Sequence, residues 1–140
     1  MRSPSQLRIW IDLANSPHPL LFAPVARLLE AKGHEILVTV RDNAQTAELA
    51  RAHWPLSTLI GRESPANAVA KAATLTRRVS DLARWARPRR PDVAVSHNSY
   101  AQIAAARMLG VPVVTASDFE HQPANHLAFR LATRILMPEA

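Results

Sequence analysis

The 140-residue chain has no cysteine, three glycines, one tyrosine and only two lysines, Lys32 and Lys71. Without cysteine there are no disulfides, and a reducing compartment suits the chain best. The apolar runs are strand-sized, well short of the roughly 20 residues that cross a bilayer. Residues 1–6 lack the apolar core of a signal peptide. A cytoplasmic location is therefore expected. The glycines are too few and too scattered for the common loop motifs. The first strand is not followed by G-x-G-x-x-G, no G-x-x-x-x-G-K-[ST] occurs, and no G-x-S-x-G supplies a nucleophile elbow. His18, His97, Asp118, Glu120 and His121 are metal-ligand types, but they show no zinc spacing, and neither metal nor cofactor is expected.

What is present is an ordinary globular composition, 48% apolar, in a length that suits one domain over residues 1–140. The net charge is +6, and fifteen of the seventeen basic residues are arginine. Arg77, Arg78, Arg84, Arg87, Arg89 and Arg90 crowd one segment, opposed there only by Asp81. Such a run is either a solvated helix face or a patch for an anionic surface. No recognition motif accompanies it, so nucleic acid is not an expected partner.

Strands are expected at residues 7–13, 35–40, 56–60, 92–96 and 111–116, with a sixth starting at 135. Helices are expected at about 20–32, 43–53, 68–86, 99–109 and 127–134. Proline lacks an N–H and clashes with the preceding turn, so Pro24 is expected in the first turn of its helix. Asp42 with Gln45 reads as a capping box. Gly33 and Gly110 stand at helix-to-strand joints. Strands and helices alternate with no hairpin signal, which predicts an α/β, Rossmann-like, doubly wound parallel sheet.

In such a sheet the turns after the strands share the carboxyl edge, where ligands bind. Those turns hold Asn15-Ser16-Pro17-His18, Arg41-Asp42, His97-Asn98-Ser99-Tyr100 and Asp118 to His126. The opposite joints, around Gly33 and Gly110, are far plainer. The asymmetry marks a candidate site. Ser16 opens a helix N-terminus suited to an anion or hydroxyl. His18 suits a base, a sugar-hydroxyl ligand or a cap. Glu120 and Asp118 are candidate acids or bases. His97 and His121 are candidate polar contacts, and Asn125 and His126 either join them or cap the last helix.

The motifs Trp10-Ile-Asp-Leu-Ala-Asn-Ser-Pro-His18, Arg41-Asp42-x-x-Gln45-Thr46, Ser96-His97 and Asp118-x-Glu-His-Gln-Pro-Ala-Asn-His126 resemble those of a prokaryotic family, domain of unknown function 354. The resemblance covers nearly the whole chain. It implies kinship with the two-domain GT-B fold of nucleotide-sugar glycosyltransferases and UDP-N-acetylglucosamine 2-epimerases, this chain being the N-terminal half. It places Asn15 to His18 where the lipid-linked N-acetylglucosamine transferase of peptidoglycan synthesis carries a Gly-rich turn ending in His. By that likeness His18 is the acceptor-side catalytic candidate, and Asn15, Ser16, Arg41, His97, Ser99, Asp118, His121, Asn125 and His126 are substrate-binding candidates. Asp118-Phe-Glu-His121 is similar to the epimerases' His-x-Glu turn, which makes Glu120 the second catalytic candidate. The epimerases' Gly-Asp pair is replaced here by Asn98-Ser99. Members of these families run to more than twice this length, and in them the nucleotide sugar binds mainly a second domain, which is expected to be absent here. The implied partners are a sugar or lipid-linked sugar acceptor and, through that second domain, a nucleotide sugar. The arginine segment 77–90 would give peripheral contact with the inner membrane face.

Overall fold

The structure, a computed structural model, describes residues 3–43, 45–63, 65–117 and 123–137, with the side chains of residues 123–125 excluded. Six parallel strands form one sheet: β1 (Arg8–Leu13), β2 (Glu35–Asp42), β3 (Thr58–Arg62), β4 (Val93–His97), β5 (Val113–Ala116) and β6 (Arg134–Leu136), in the order β3-β2-β1-β4-β5-β6. The helices between them are α1 (Pro17–Ala31), α2 (Thr46–His53), α3 (Ala68–Ala86), α4 (Tyr100–Met108) and α5 (Pro123–Leu131).

β1 lies between β2 and β4, so both of its faces must be covered. Ile9, Ile11 and Leu13 pack with Phe22 and Ala26 of α1 and Ala50 of α2. Trp10 points the other way, against Leu82 and Ala86 of α3 and Ile103 of α4. Successive side chains of a strand alternate faces, and the helices divide accordingly. Leu82 is fully buried, and burying one leucine contributes about 1.5–3 kcal/mol. The doubly wound parallel sheet expected from the sequence is the sheet observed.

Several boundaries differ, each for a local reason. α1 starts at Pro17, so Pro24 lies inside the helix rather than in its first turn. Pro24 deprives only the Leu20 carbonyl of its helical partner, and Leu20 is 59% exposed, within reach of water. β2 runs on to Asp42, which pairs with Arg62. Asp42 therefore makes no capping box, and Gln45 is the N-cap residue of α2. β3 sits two residues later than expected, with Leu56 outside it and 97% exposed. α5 begins at Pro123, a favoured first position, so Asn125 and His126 lie within the helix rather than capping it. Between the pairs Val40–Leu59 and Asp42–Arg62, β3 carries one extra residue, a bulge. Gly61 in that bulge has φ +87°, a conformation that side-chain-bearing residues rarely adopt.

Candidate functional site

The carboxyl edge is built on a row of buried polar side chains crossing four strands. Thr39 of β2, Asp12 of β1, Ser96 of β4 and Thr115 of β5 are register neighbours, and each has zero solvent exposure. A buried carboxylate is costly unless paired and hydrogen-bonded. Asp12 is both. Arg78 of α3 donates to it through Nη1 and Nη2, each at 2.8 Å, and Thr39 Oγ1 donates at 2.7 Å. The Ser99 hydroxyl donates to Asp12 Oδ2 as well. Trp10 Nε1 donates to Thr39 Oγ1 at 2.8 Å, and Arg78 Nε donates to the Ile60 carbonyl at 2.8 Å. Burial pushes the Asp12 carboxyl up, but the Arg78 guanidinium and the Ser99 and Thr39 hydroxyls outweigh it and hold Asp12 below its ordinary value of 3.8. A carboxylate so fully occupied has no capacity left for proton transfer. Its work is to tie α3 and the start of α4 to the sheet.

Gly61 belongs to the same construction. A Cβ there would stand 2.6 Å from Arg78 Cδ, so the bulge of β3 must carry glycine for the arginine to pass. Arg78 is thus removed from the expected surface patch: it is buried, and its charge is spent on Asp12. Arg77, Arg84, Arg87, Arg89 and Arg90 are exposed.

Above this floor the structure brings together two of the expected histidines. The His18 and His97 rings lie 5.1 Å apart between centroids, tilted by 41°. His18 is buried, and Phe22 meets its ring edge-on at 6.5 Å. The backbone N–H groups of Ala14 and Asn15 donate to His18 Nδ1 at 3.2 and 3.3 Å. The neutral ring therefore carries its proton on Nε2. The start of α1 is poor in donors, because Pro17 and Pro19 have no N–H and that of His18 is taken by the Asn15 carbonyl at 3.0 Å. Ser16 makes no cap bond and instead lies 3.4 Å from Thr46 Oγ1. The anion seat expected at this helix start is weakened accordingly.

The turn after β4 is shaped by Asn98, at φ +50°. Asparagine is among the few side-chain-bearing residues that tolerate this region. Its N–H donates to Thr115 Oγ1 at 3.0 Å and its side-chain amide to Ser117 Oγ at 3.0 Å, locking the ends of β4 and β5 together. Ser99 caps α4 while bonding Asp12, so it is turned inward rather than toward a ligand.

Beside the histidines lies a cleft of about 140 Å³ whose lining includes Asn15, Arg41, Arg62, Arg78, Asn98 and Tyr100. Arg41 Nε donates to the Arg62 carbonyl at 3.2 Å. Burial and the nearby Arg78 charge hold the Arg41 guanidinium below its ordinary value. Burial raises the Tyr100 hydroxyl. Arg62 was not singled out by the sequence; its place two residues past the core of β3, on the same edge as Arg41, was the available signal. His126 is exposed on α5, and the Asn125 side chain lies outside the described residues. So do Asp118, Glu120 and His121. Among the described residues no group of three or more metal-ligating side chains occurs, and no helix is long and apolar enough to cross a membrane.

An all-parallel sheet of this order, with its polar groups gathered at the carboxyl edge, is an α/β, Rossmann-like fold of the kind found in GT-B proteins. The chain belongs to the family described as "Protein of unknown function (DUF354)", whose model matches residues 7–140. It is 32% identical over 136 residues to an uncharacterized protein of Methanocaldococcus jannaschii, covering 96% of this chain and 39% of that one. Among solved structures, MurG of Acinetobacter baumannii superposes with a TM-score of 0.73 at 16% identity, covering 96% of this chain and 42% of that one. The UDP-GlcNAc 2-epimerase of M. jannaschii does so with a TM-score of 0.73 at 15% identity, covering 95% and 40%. These likenesses concern the fold. The chain spans about two fifths of the length of the proteins it matches.

Proposed function

We propose that this domain binds the sugar-bearing acceptor of a GT-B-type glycosyltransferase-like protein, and that a second domain is needed for the nucleotide sugar and for turnover. The observation that carries this reading is the His18–His97 pair at the carboxyl edge, 5.1 Å apart. Imidazole nitrogens are suited to sugar hydroxyls, and a carboxyl-edge crevice is the usual ligand seat of such sheets. Of the two roles open to His18, the geometry supports ligand over base. Its Nδ1 faces two backbone donors, so that nitrogen's lone pair is engaged and is not open to take a proton from an acceptor.

The test is ligand-induced stabilisation of the chain by simple and lipid-linked sugar acceptors, with free nucleotides and UDP-sugars as the contrasting set. A ligand that binds only the folded state at a hundredfold excess over its Kd adds about 2.7 kcal/mol. We expect stabilisation by an acceptor and its loss in His18→Ala. No stabilisation by any acceptor would refute the reading. Stabilisation by a UDP-sugar alone would favour an epimerase-like domain, for which the equal TM-score of 0.73 to an epimerase speaks. Against it stand Asn98 and Ser99, which are turned to Ser117 and Asp12 and add no carboxylate to the cleft. A domain that binds nothing in either set would be a partner or scaffold module.

A further inference from the structure

The two faces of the sheet are covered unequally, although parallel strands are ordinarily buried on both. On the Trp10 side, α4 packs on β4 and β5, and Ala94, Ser96, Val113 and Thr115 have no solvent exposure. On the Ile9 and Ile11 side, α1 and α2 lie over β1 and β2. The strand register puts Val93, Val95, Val114, Ala116 and Leu136 on that second side. The first four are only half-buried, and Leu136 is 57% exposed. That half of the sheet is an open apolar shelf, with Arg134 on its outer strand.

α1 is the wall beside the shelf, a step about 10 Å high, the width of a helix. His18 meets His97 of β4, which fixes the flank of α1 that faces the shelf. Val25, seven residues on, lies two turns along the same flank and is 41% exposed. The outer side of the helix carries Leu20, Pro24 and Leu28 at four-residue spacing, with Leu21 between them and Val25. All four are exposed, Leu28 by 66%. α1 keeps its charges, Arg27 and Glu30, on the flank away from the shelf. An outer helix face is ordinarily polar, and α2 obeys this with Glu48, Arg51 and His53 exposed.

The occupant follows from the shape. A single helix laid on the shelf would cover Val95, Val114 and Val25 but leave Leu20 and Leu28 in water. A second copy of the chain covers both. Turned by 180° about an axis parallel to the strands, it brings its own α1 down on the shelf, and the two steps interlock. Each outer stripe then meets the other copy's open strands, and Val25 meets its own counterpart on the axis. Such a contact is self-complementary and closed. Charge does not oppose it, because Leu82 and Ala86 seat α3, and with it Arg77, Arg84 and Arg87, on the Trp10 side. Area suffices as well. The chain exposes 8691 Å², about 1,500 Å² more than the roughly 7,200 Å² of a compact monomer of its mass. A standard interface takes about 800 Å² from each partner.

We propose that two copies of this chain form a two-fold dimer, in which the α1 of each covers the open half of the other's sheet. The dimer does not depend on what binds at the histidines.

Sedimentation equilibrium of the 140-residue chain across the micromolar range is the experiment. We expect twice the mass of one chain. Val25→Asp and Leu28→Asp should each raise the dimer dissociation constant by about tenfold or more, since a two-fold contact carries each substitution twice. Met108→Asp, at a site as exposed as Leu28 but on α4 of the opposite side, should leave it unchanged. All three sites are exposed, so circular dichroism should remain that of the folded parent. The chain has no cysteine, so Val25→Cys gives a second reading. Under mild oxidation it should cross-link to its own counterpart, and Met108→Cys should not. A monomer at every concentration overturns the proposal. So does assembly beyond the dimer, which a closed contact forbids. A dimer untouched by both α1 aspartates, or cross-linked through Met108→Cys and not through Val25→Cys, overturns the placement of the contact on α1.

Discussion

Arg77 and Arg78 are consecutive residues of α3, and they live in different media. The Arg77 side chain is 86% exposed, with Nε 4.0 Å from Asp81; that of Arg78 is 6% exposed and grips Asp12 at 2.8 Å. A helix turns about 100° per residue, so neighbours in sequence face different ways. The face that receives Arg78 holds a carboxylate, a glycine bulge and a serine hydroxyl arranged to meet it. The lesson is that charge density along a chain says nothing about how each charge is used. One arginine is structural, and its neighbour is solvated.

The largest break of this contrast is expected from Arg78→Met. It strands the Asp12 carboxylate in the interior, and removing one partner of a buried pair costs about 3–5 kcal/mol. Arg77→Met should stay within about 0.5 kcal/mol of the parent, as exposed ion pairs do. Urea unfolding measures both. Equal effects would erase the distinction. Adding Asp12→Asn to Arg78→Met should recover part of the loss, because no buried charge is then left without a counter-charge.

A second comparison separates backbone strain from crowding. Gly33 and Gly61 have almost the same φ, +89° and +87°, but a Cβ at Gly33 would meet nothing within 4 Å whereas one at Gly61 would meet Arg78 at 2.6 Å. Gly33→Ala should therefore cost only the left-handed strain, about 1–2 kcal/mol. Gly61→Ala should cost visibly more, because Arg78 must move off Asp12. Denaturation midpoints of the two variants decide the matter, and a smaller loss at Gly61 would contradict the packing described.

The fold was legible because its signals are local. Alternating strands and helices, Gly33 and Gly110 at the joints and the two-sided apolar strand 7–13 each act within a few residues. The Asp12–Arg78 pair was not legible, since its partners are 66 residues apart in sequence and Asp12 sits among the apolar residues of its strand. One signal was available: Asp12, Thr39, Ser96 and Thr115 each lie near the carboxyl end of a strand, and aligning strand ends stacks them in one row. At the site, sequence placed His18, His97, Asn15, Arg41 and Asn98 on one edge, and the structure joins the two histidines. It did not reveal that Ser99 turns inward, because that depends on where Asp12 comes to rest. Pro24 misled because a proline inside a helix is tolerable where water can reach the carbonyl it leaves unpaired.

The Asp12–Arg78 pair also sets an acid dependence. The folded-state pKa of Asp12 is depressed below its ordinary 3.8. A depressed carboxyl contributes stability that is fully present above the unfolded value and is lost as pH falls through the folded one. The parent chain should thus lose stability below about pH 4, in the acid range where the unfolded chain takes up the proton first. In the Asp12→Asn, Arg78→Met double variant that part of the acid slope should vanish, which equilibrium unfolding at a series of pH values would show. An unchanged slope would assign the acid sensitivity to other carboxyls.

The smallest effect belongs to the exposed side of the comparison. Asp81 lies 3.2 Å from Arg84 and 4.0 Å from Arg77, one turn away in either direction along α3. Such pairs stabilise a helix by about 0.2–0.5 kcal/mol and are screened by salt. Asp81→Asn should therefore lose no more than about 0.5 kcal/mol at low ionic strength and almost nothing in molar salt. Arg78→Met should keep most of its deficit there, because salt screens buried pairs far less than exposed ones. Should both deficits shrink alike in salt, the Asp12–Arg78 pair would be in contact with water, and the difference between Arg77 and Arg78 would be one of degree only.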